Sequence, residues 1–400
     1  MVDVGPHRRL GRAVTTHVSD IEKFIRKEHD MNVKIGSIVT ACCIGISFLH
    51  GGLLHTVRCF IAPGLYAAQS PPNIIDHTKR DIAKIPVQAI VQAKKKLHIA
   101  YGHTSHGQQL VVGMESLDSF MSKKGYASGT FAVDFDGRPS GSELDLCDNP
   151  WKNWSEYGRD LGSRKTDGKM SDGDYTAWVY TTRKYLGWAP GSGDGSQLAH
   201  YATGAPRYNP SSCNNCNVIV WAWCGQVGYC PPQEIHNYLR NMTQLERAYP
   251  QVKFVYMTGH LARGEQKHDI GLNGSVHTRN TIIRNYCIKN NKILYDFEDI
   301  ESYDPDGVYY GNRFATDSCN YDANNDGVTT ENLDGGNWSL PFIAAHGDRN
   351  WALDWQKKHK EGSDWFTTRA QPQHTHYINA NMKAFAAWRL WIYCARWSGY

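Results

Sequence analysis

Between residues 97 and 297 the chain alternates short, mostly apolar runs with segments whose apolar residues recur at helical spacing. The runs fall at residues 97–101, 130–135, 217–223, 252–258 and 292–297. Helical spacing is clearest in Leu110, Val111, Met114, Leu117 and Met121, and again in Ile235, Tyr238, Leu239, Met242 and Leu245 of residues 232–248. Further helices are expected over 174–186 and 277–289. Asn379 is placed to cap a last one carrying Met382, Phe385, Trp388 and Leu390. Strands that are apolar on both faces and separated by helices need cover on both sides. The pattern therefore predicts an α/β fold: a three-layer, flavodoxin-like, mainly parallel sheet with helices on both faces. In such sheets the site lies beyond the C-terminal strand ends. Ser105, the turn Cys224 to Gln226, His260 and Asp296 all follow or end such runs, and are expected to converge there.

The first run leads into the densest group of reactive side chains. Gly102 ends it, and His103, Thr104, Ser105, His106 and Gly107 follow as a helical pattern begins. A strand that breaks at glycine and turns straight into a helix leaves a serine hydroxyl at the sheet edge, beside the first helical N–H groups. That setting suits a nucleophile. It equally suits a serine that only caps the helix.

Charge and cysteine usage bear on setting and partners. With 41% hydrophobic residues, the 400-residue chain can bury a substantial core. Residues 1–70 hold eight Lys/Arg against five Asp/Glu, which leaves 35 against 34 for the remainder. So neutral a body, with no basic stripe, argues against a nucleic-acid partner. Residues 35–54 are mostly apolar and lack Lys, Arg, Asp and Glu; Arg26, Lys27 and Lys34 precede them, and the small pair Ala67-Ala68 follows. This is the pattern of an export signal, so 1–70 reads as a leader and 71–400 as a single domain. The chain is then secreted, periplasmic or at the cell surface. An uncleaved leader is its one expected route to a membrane. Eight cysteines lie beyond the leader: Cys147, Cys213, Cys216, Cys224, Cys230, Cys287, Cys319 and Cys394. An even number in an exported chain suggests disulfides; a zinc knot built on Cys213, Cys216, Cys224 and Cys230 is the alternative.

Two long, irregular, acidic insertions interrupt the alternation, at about 136–210 and 303–370. In the second, Asp322, Asn324, Asp326 and Gly327 spell D-x-N-x-D-G, the opening of a calcium loop, with Val328 at the seventh position. The twelfth position is Leu333 rather than a bidentate Glu, and Glu331 and Asp334 flank it as substitutes. A structural Ca2+ is expected here; an Asn/Asp/Gly-rich turn without an ion is the alternative. No organic cofactor motif is present.

Ser105 after the first strand, a glycine-polar turn after the 217–223 run and a histidine before the last helix form one arrangement in chain order. It resembles the SGNH/GDSL hydrolase family. The string G-H-T-S-H-G at residues 102–107 is similar to the first block of some exported members. Cys224-Gly225-Gln226 is the nearest match to the third block, with an amide but no Asn-Asp pair, and His374 is the nearest match to the last. The resemblance covers about residues 95–300 and 370–400. It implies hydrolysis of an ester, either a small ester or an acyl group on a glycan, with Ser105 as nucleophile and His374 as base. The Ser105 N–H and the Gln226 amide would hold the oxyanion. The sequence departs from the family where an Asp is expected before the histidine: Gln371 precedes His374, and Gln373 precedes His376. Asp296, Asp304 or Asp364 would have to supply a carboxylate, or Ser105 and His374 act as a dyad.

Two other readings use the same residues. His103, His106, His374 and His376 could meet on one sheet edge as zinc ligands and activate water. Alternatively, the chain is an inactive, calcium-stabilised surface or glycan-binding protein. In that case Trp151, Trp154, Trp178 and Trp188 of the first insertion stack on sugar rings.

Overall fold

Seven parallel strands form the central sheet of the computed structural model: β1 (Ile74–Ile75), β2 (His98–Gly102), β3 (Val133–Asp134), β4 (Leu144–Asp148), β5 (Val218–Trp221), β6 (Lys253–Met257) and β7 (Ile293–Tyr295). The structure describes residues 70–396, apart from 138, 154–157, 163–175, 187–215, 263–275, 328 and 330–346. The leader lies outside the described residues. Among the described residues, no helix is long and apolar enough to cross a membrane.

The strand order is β1-β7-β6-β5-β2-β4-β3. Without the two-residue edge strands, the second longer strand flanks the first and the third, fourth and fifth follow on its other side. This is the flavodoxin-like order, with its switch point between β2 and β5. Side chains alternate between two cores. Ile99, Tyr101, Val218, Val220, Val255 and Met257 face one; Ala100, Ile219, Trp221, Phe254 and Tyr256 face the other. The first core is covered by α1 (Val87–Lys96), α2 (Ser105–Ser122) and, further along the chain, a long C-terminal helix. The second is covered by α3 (Ala177–Leu186), α4 (Pro232–Ala248) and α5 (Val276–Lys289). Both sheet faces are therefore buried, and the three-layer expectation holds. Beyond β7 come α6 (Phe297–Glu301), an antiparallel pair of β8 (Asn320–Tyr321) and β9 (Arg349–Asn350), α7 (Trp351–Lys358) and the C-terminal helix α8 (Tyr377–Arg396).

Two local expectations are corrected. The strand beside β2 is β4, inside the stretch read as irregular, and the expected 130–135 run shrinks to the edge strand β3. Leu144 to Asp148 reads L-D-L-C-D, and its carboxylates hide the strand; Asp145 is buried because His98 Nδ1 lies 2.7 Å from its carboxylate. Asn379 does not cap the last helix. The helix begins at Tyr377, and the Asn379 amide is buried, donating to Thr375 Oγ1 at 2.9 Å. Among the described cysteines, Cys216, Cys224, Cys230, Cys287, Cys319 and Cys394 are free thiols, and Cys147 is disulfide-bonded.

The tryptophans of the first insertion pack inward. Trp151 and Trp178 are fully buried, and Trp151 stacks on Trp221 with ring centroids 4.4 Å apart. Neither can offer a face to a sugar, which corrects that part of the glycan reading; Trp154 and Trp188 lie outside the described residues. The Trp151–Trp221 stack explains Gly102, where an added Cβ would overlap both rings. Gly102→Ala is expected to destabilise the fold by about 1–3 kcal/mol through overpacking. Denaturant unfolding measures this, and an unchanged midpoint would refute it.

Candidate active site

β2 and β5 end side by side, with Gly102 in register with Trp221. Two reactive side chains follow them. Ser105 opens α2, and Cys224 precedes a short turn of 3-10 helix, Gly225–Gly228. Their Oγ and Sγ atoms are 3.0 Å apart. On the other side of the serine, His374 Nε2 lies 2.8 Å from Ser105 Oγ. A residue from the start of the fold thus meets one 269 positions away, as the order of blocks predicts.

The same helix that presents Ser105 also sets His374. Gln109 Nε2 donates to the Gln373 carbonyl at 2.6 Å, and the Gln373 N–H donates to Gln108 Oε1 at 3.1 Å. Between them they hold His374 in the left-handed backbone region, φ 66°, a conformation that costs a non-glycine residue on the order of 1 kcal/mol. Gln109 is anchored in turn by Lys383 of α8, whose ammonium also lies 2.5 Å from Glu301 Oε2. Lys383 and Glu301 are both fully buried, so the loop carrying His374 rests on a buried ion pair.

His106 sits behind the serine, between two other imidazoles. Its ring stacks on His374 and on His260, with centroids 4.3 Å apart in both cases. Its Nδ1 lies 3.1 Å from Cys224 Sγ and its Nε2 lies 2.9 Å from Asp317 Oδ2. Burial opposes its charge, but the bonds to Asp317 and Cys224 outweigh burial and lift His106 to about 10. For Cys224, burial likewise opposes ionisation. The hydrogen bond and charge of His106 overcome it, and with Ser105 and Thr104 they bring the thiol down to about 5. Asp317 is held below its usual range, against burial, by His106. A thiolate–imidazolium–carboxylate row therefore lies beside the Ser105–His374 pair. His374 is pushed down to about 4 by burial and by the neighbouring His106 cation.

No family model, curated protein or solved structure matches this chain.

The remaining sequence candidates fall elsewhere. Gln226 Nε2 donates to Asp160 Oδ2 at 3.4 Å, an oxygen that also accepts from Thr104 Oγ1 at 2.5 Å. Asp296 is committed to Arg284, 2.5 Å from its Nε, and to Thr258 Oγ1 at 3.0 Å. Asp304 accepts the Val308 N–H within its own turn, and Asp364 accepts the Lys360 N–H. None of the three reaches His374. His103 pairs with Asp148 at 2.8 Å, and His376 Nε2 lies 3.1 Å from Asn350 Nδ2, so the four expected zinc histidines do not assemble. Among the described residues, two groups could hold a metal ion: His106, Asp317 and His374, whose ligand atoms lie within 4.8 Å of one another, and Asp76, His77 and Asp299. In the expected calcium loop, Asp322 accepts the N–H groups of Asn325 (2.6 Å) and Gly327 (2.9 Å), and Asn324 Nδ2 donates to Asp326 Oδ2 (2.9 Å). Val328, Glu331 and Asp334 lie outside the described residues.

Asp317 and the role of Cys224 were missed. Asp317 comes from the second insertion, 211 residues from His106 and without periodic context, so nothing in the sequence ties the two together. Cys224 was legible as a residue of the right turn, and its even-numbered company pointed to disulfides instead.

Proposed function

We propose that this chain is an SGNH-like serine hydrolase that cleaves an alkyl ester, either a small one or an acyl group on a glycan, in an exported setting. The observation that carries the reading is the 2.8 Å contact between Ser105 Oγ and His374 Nε2 at the switch point of the sheet. Neutral His374 takes the serine proton as Oγ attacks the ester carbonyl, and returns it to the leaving alcohol. The developing oxyanion lies against the N–H groups that open α2, which have no intrahelical acceptor. The low proton affinity of His374 keeps the base in its competent form far into acid.

Labelling by a fluorophosphonate tests the assignment. Wild-type protein is expected to carry one adduct, on Ser105, lost in Ser105→Ala and strongly slowed in His374→Ala. A folded protein that takes no label would overturn it. The acid limb of ester turnover gives a second check. A base whose folded value is about 4 is protonated only below that pH. Activity is therefore expected to fall as pH drops through about 4, rather than through about 6.5 as for an unperturbed histidine. A kcat/KM profile with its acid limb near 6.5 contradicts this.

A second reading follows from the clustering of His106, Asp317 and His374: zinc-assisted hydrolysis. It is the weaker one, because the His106 nitrogens already face Cys224 and Asp317. Stoichiometric zinc in the purified protein, with turnover lost to a chelator and retained in Ser105→Ala, would favour it.

A further inference from the structure

The serine reading leaves Cys224, His106 and Asp317 without work, although they are aligned as a nucleophile, a base and an orienting acid. Cys224 Sγ to His106 Nδ1 is 3.1 Å, and His106 Nε2 to Asp317 Oδ2 is 2.9 Å. The remaining Asp317 oxygen accepts the Ser318 N–H at 2.7 Å, which fixes the carboxylate. The two flanking imidazoles hold the plane of the His106 ring. The other free thiols have different settings. Cys230, Cys287, Cys319 and Cys394 are buried, and Cys216 donates to the Val218 carbonyl at 3.2 Å. Cys224 is only partly buried and borders the serine hydroxyl.

We propose that Cys224, with His106 and Asp317, is a second nucleophile of this cleft, and that it takes acyl groups from thioesters and aryl esters. The proposal extends the acyl-transfer reading and does not depend on Ser105. The Cys224 thiolate attacks the carbonyl carbon, a C–S bond forms, and the carbonyl electron pair moves to oxygen. On collapse, the bond to the leaving group breaks; the leaving group departs with its electron pair and takes the proton from His106 Nδ1. His106, now neutral, removes a proton from water, whose oxygen attacks the thioester. The C–S bond then breaks, the acid is released, and the thiolate returns beside the imidazolium. A thiolate is a better leaving group than an alcohol that must first be protonated, so the intermediate formed from an alkyl ester expels sulfur in competition with the alcohol, whereas thiolates and phenolates depart readily. Donors are thereby divided between the two nucleophiles: alkyl esters to Ser105, thioesters and aryl esters to Cys224.

The test is acylation by 4-nitrophenyl acetate, quenched in acid and mapped by peptide mass spectrometry. Wild type and Ser105→Ala are both expected to carry an acetyl group on Cys224 that neutral hydroxylamine removes. Cys224→Ala is expected to carry none there. In His106→Asn the rate of acylation is expected to fall about 100-fold, the lower range for losing a positioned acid–base group. Because that variant can fail by misfolding, iodoacetamide is applied to native wild type in parallel, where Cys224 is expected to be alkylated ahead of Cys216, Cys230, Cys287, Cys319 and Cys394. Acetyl found on Ser105 alone, with Cys224 unmodified, overturns the proposal, as does Cys224 alkylated no faster than Cys216. Failure of the serine reading looks different: no fluorophosphonate adduct, with Cys224 still acetylated.

Discussion

Lys383→Met is expected to lose about 3–5 kcal/mol of folding stability, as measured by denaturant unfolding. Lys383 and Glu301 are each 0% exposed, and the ammonium lies 2.5 Å from Glu301 Oε2. Removing the cation leaves a carboxylate in a water-free interior with only partial compensation from the Leu261 N–H and the Asn379 amide. Burial raises the proton affinity of Glu301 even with its partner present, so the uncompensated charge is costly. Adding Glu301→Gln to Lys383→Met is expected to recover much of the loss. It removes the orphaned charge and retains an oxygen for the Leu261 N–H. Equal stability of the single and double variants would show that packing, not charge, carries the effect. The single variant has a second expected consequence. Gln109 loses its Lys383 contact, the Gln373 loop loses its anchor, and ester turnover falls in protein that is still folded.

Ser105→Ala is expected to lower alkyl-ester turnover by about 100-fold. With a full serine triad, losing the nucleophile costs on the order of 10^6-fold, and losing the carboxylate alone about 3 × 10^4-fold. Among the described residues no carboxylate hydrogen-bonds to His374; the nearest acid of the site, Asp317, is spent on His106. The dyad therefore starts from the residual near 10^2. His374→Ala is expected to cost about the same, and the double variant no more than either single one, because the two residues act on one proton. A loss of 10^6-fold on removing Ser105 would mean that a carboxylate reaches His374 during turnover. An unchanged rate would remove the serine mechanism altogether.

The sheet was legible because its interior strands are apolar on both faces, a pattern that only one layer architecture satisfies. The meeting of Ser105 with His374 followed from that architecture, since both lie at C-terminal strand edges or before the last helix. What escaped reading depended on pairing across long separations. β4 was hidden because Asp145 interrupts its apolar run, and its burial is intelligible only once His98 is seen across the sheet. Asp317 sits in an insertion where no periodicity marks which acid points inward. Gln226 occupies the expected turn, and its contact with Asp160 joins two loops whose relative placement is not encoded locally. Asn379 had the residue type of a cap three positions too late, because its amide was needed for Thr375 in the interior.

Helix α2 carries Ser105 at one end, grips the His374 loop through Gln108 and Gln109, and at Gly113 lies so close to α8 that a Cβ would overlap the Ala380 carbonyl. Ser105 and His374 therefore ride on a single chassis. Peripheral loops that shape what enters the cleft can be exchanged or lengthened while the spacing for proton transfer stays where the helix put it. Entry to the cleft and the Ser105–His374 spacing are mechanically uncoupled in this design, except where Asp160 of the first insertion holds Thr104 and Asp317 of the second holds His106.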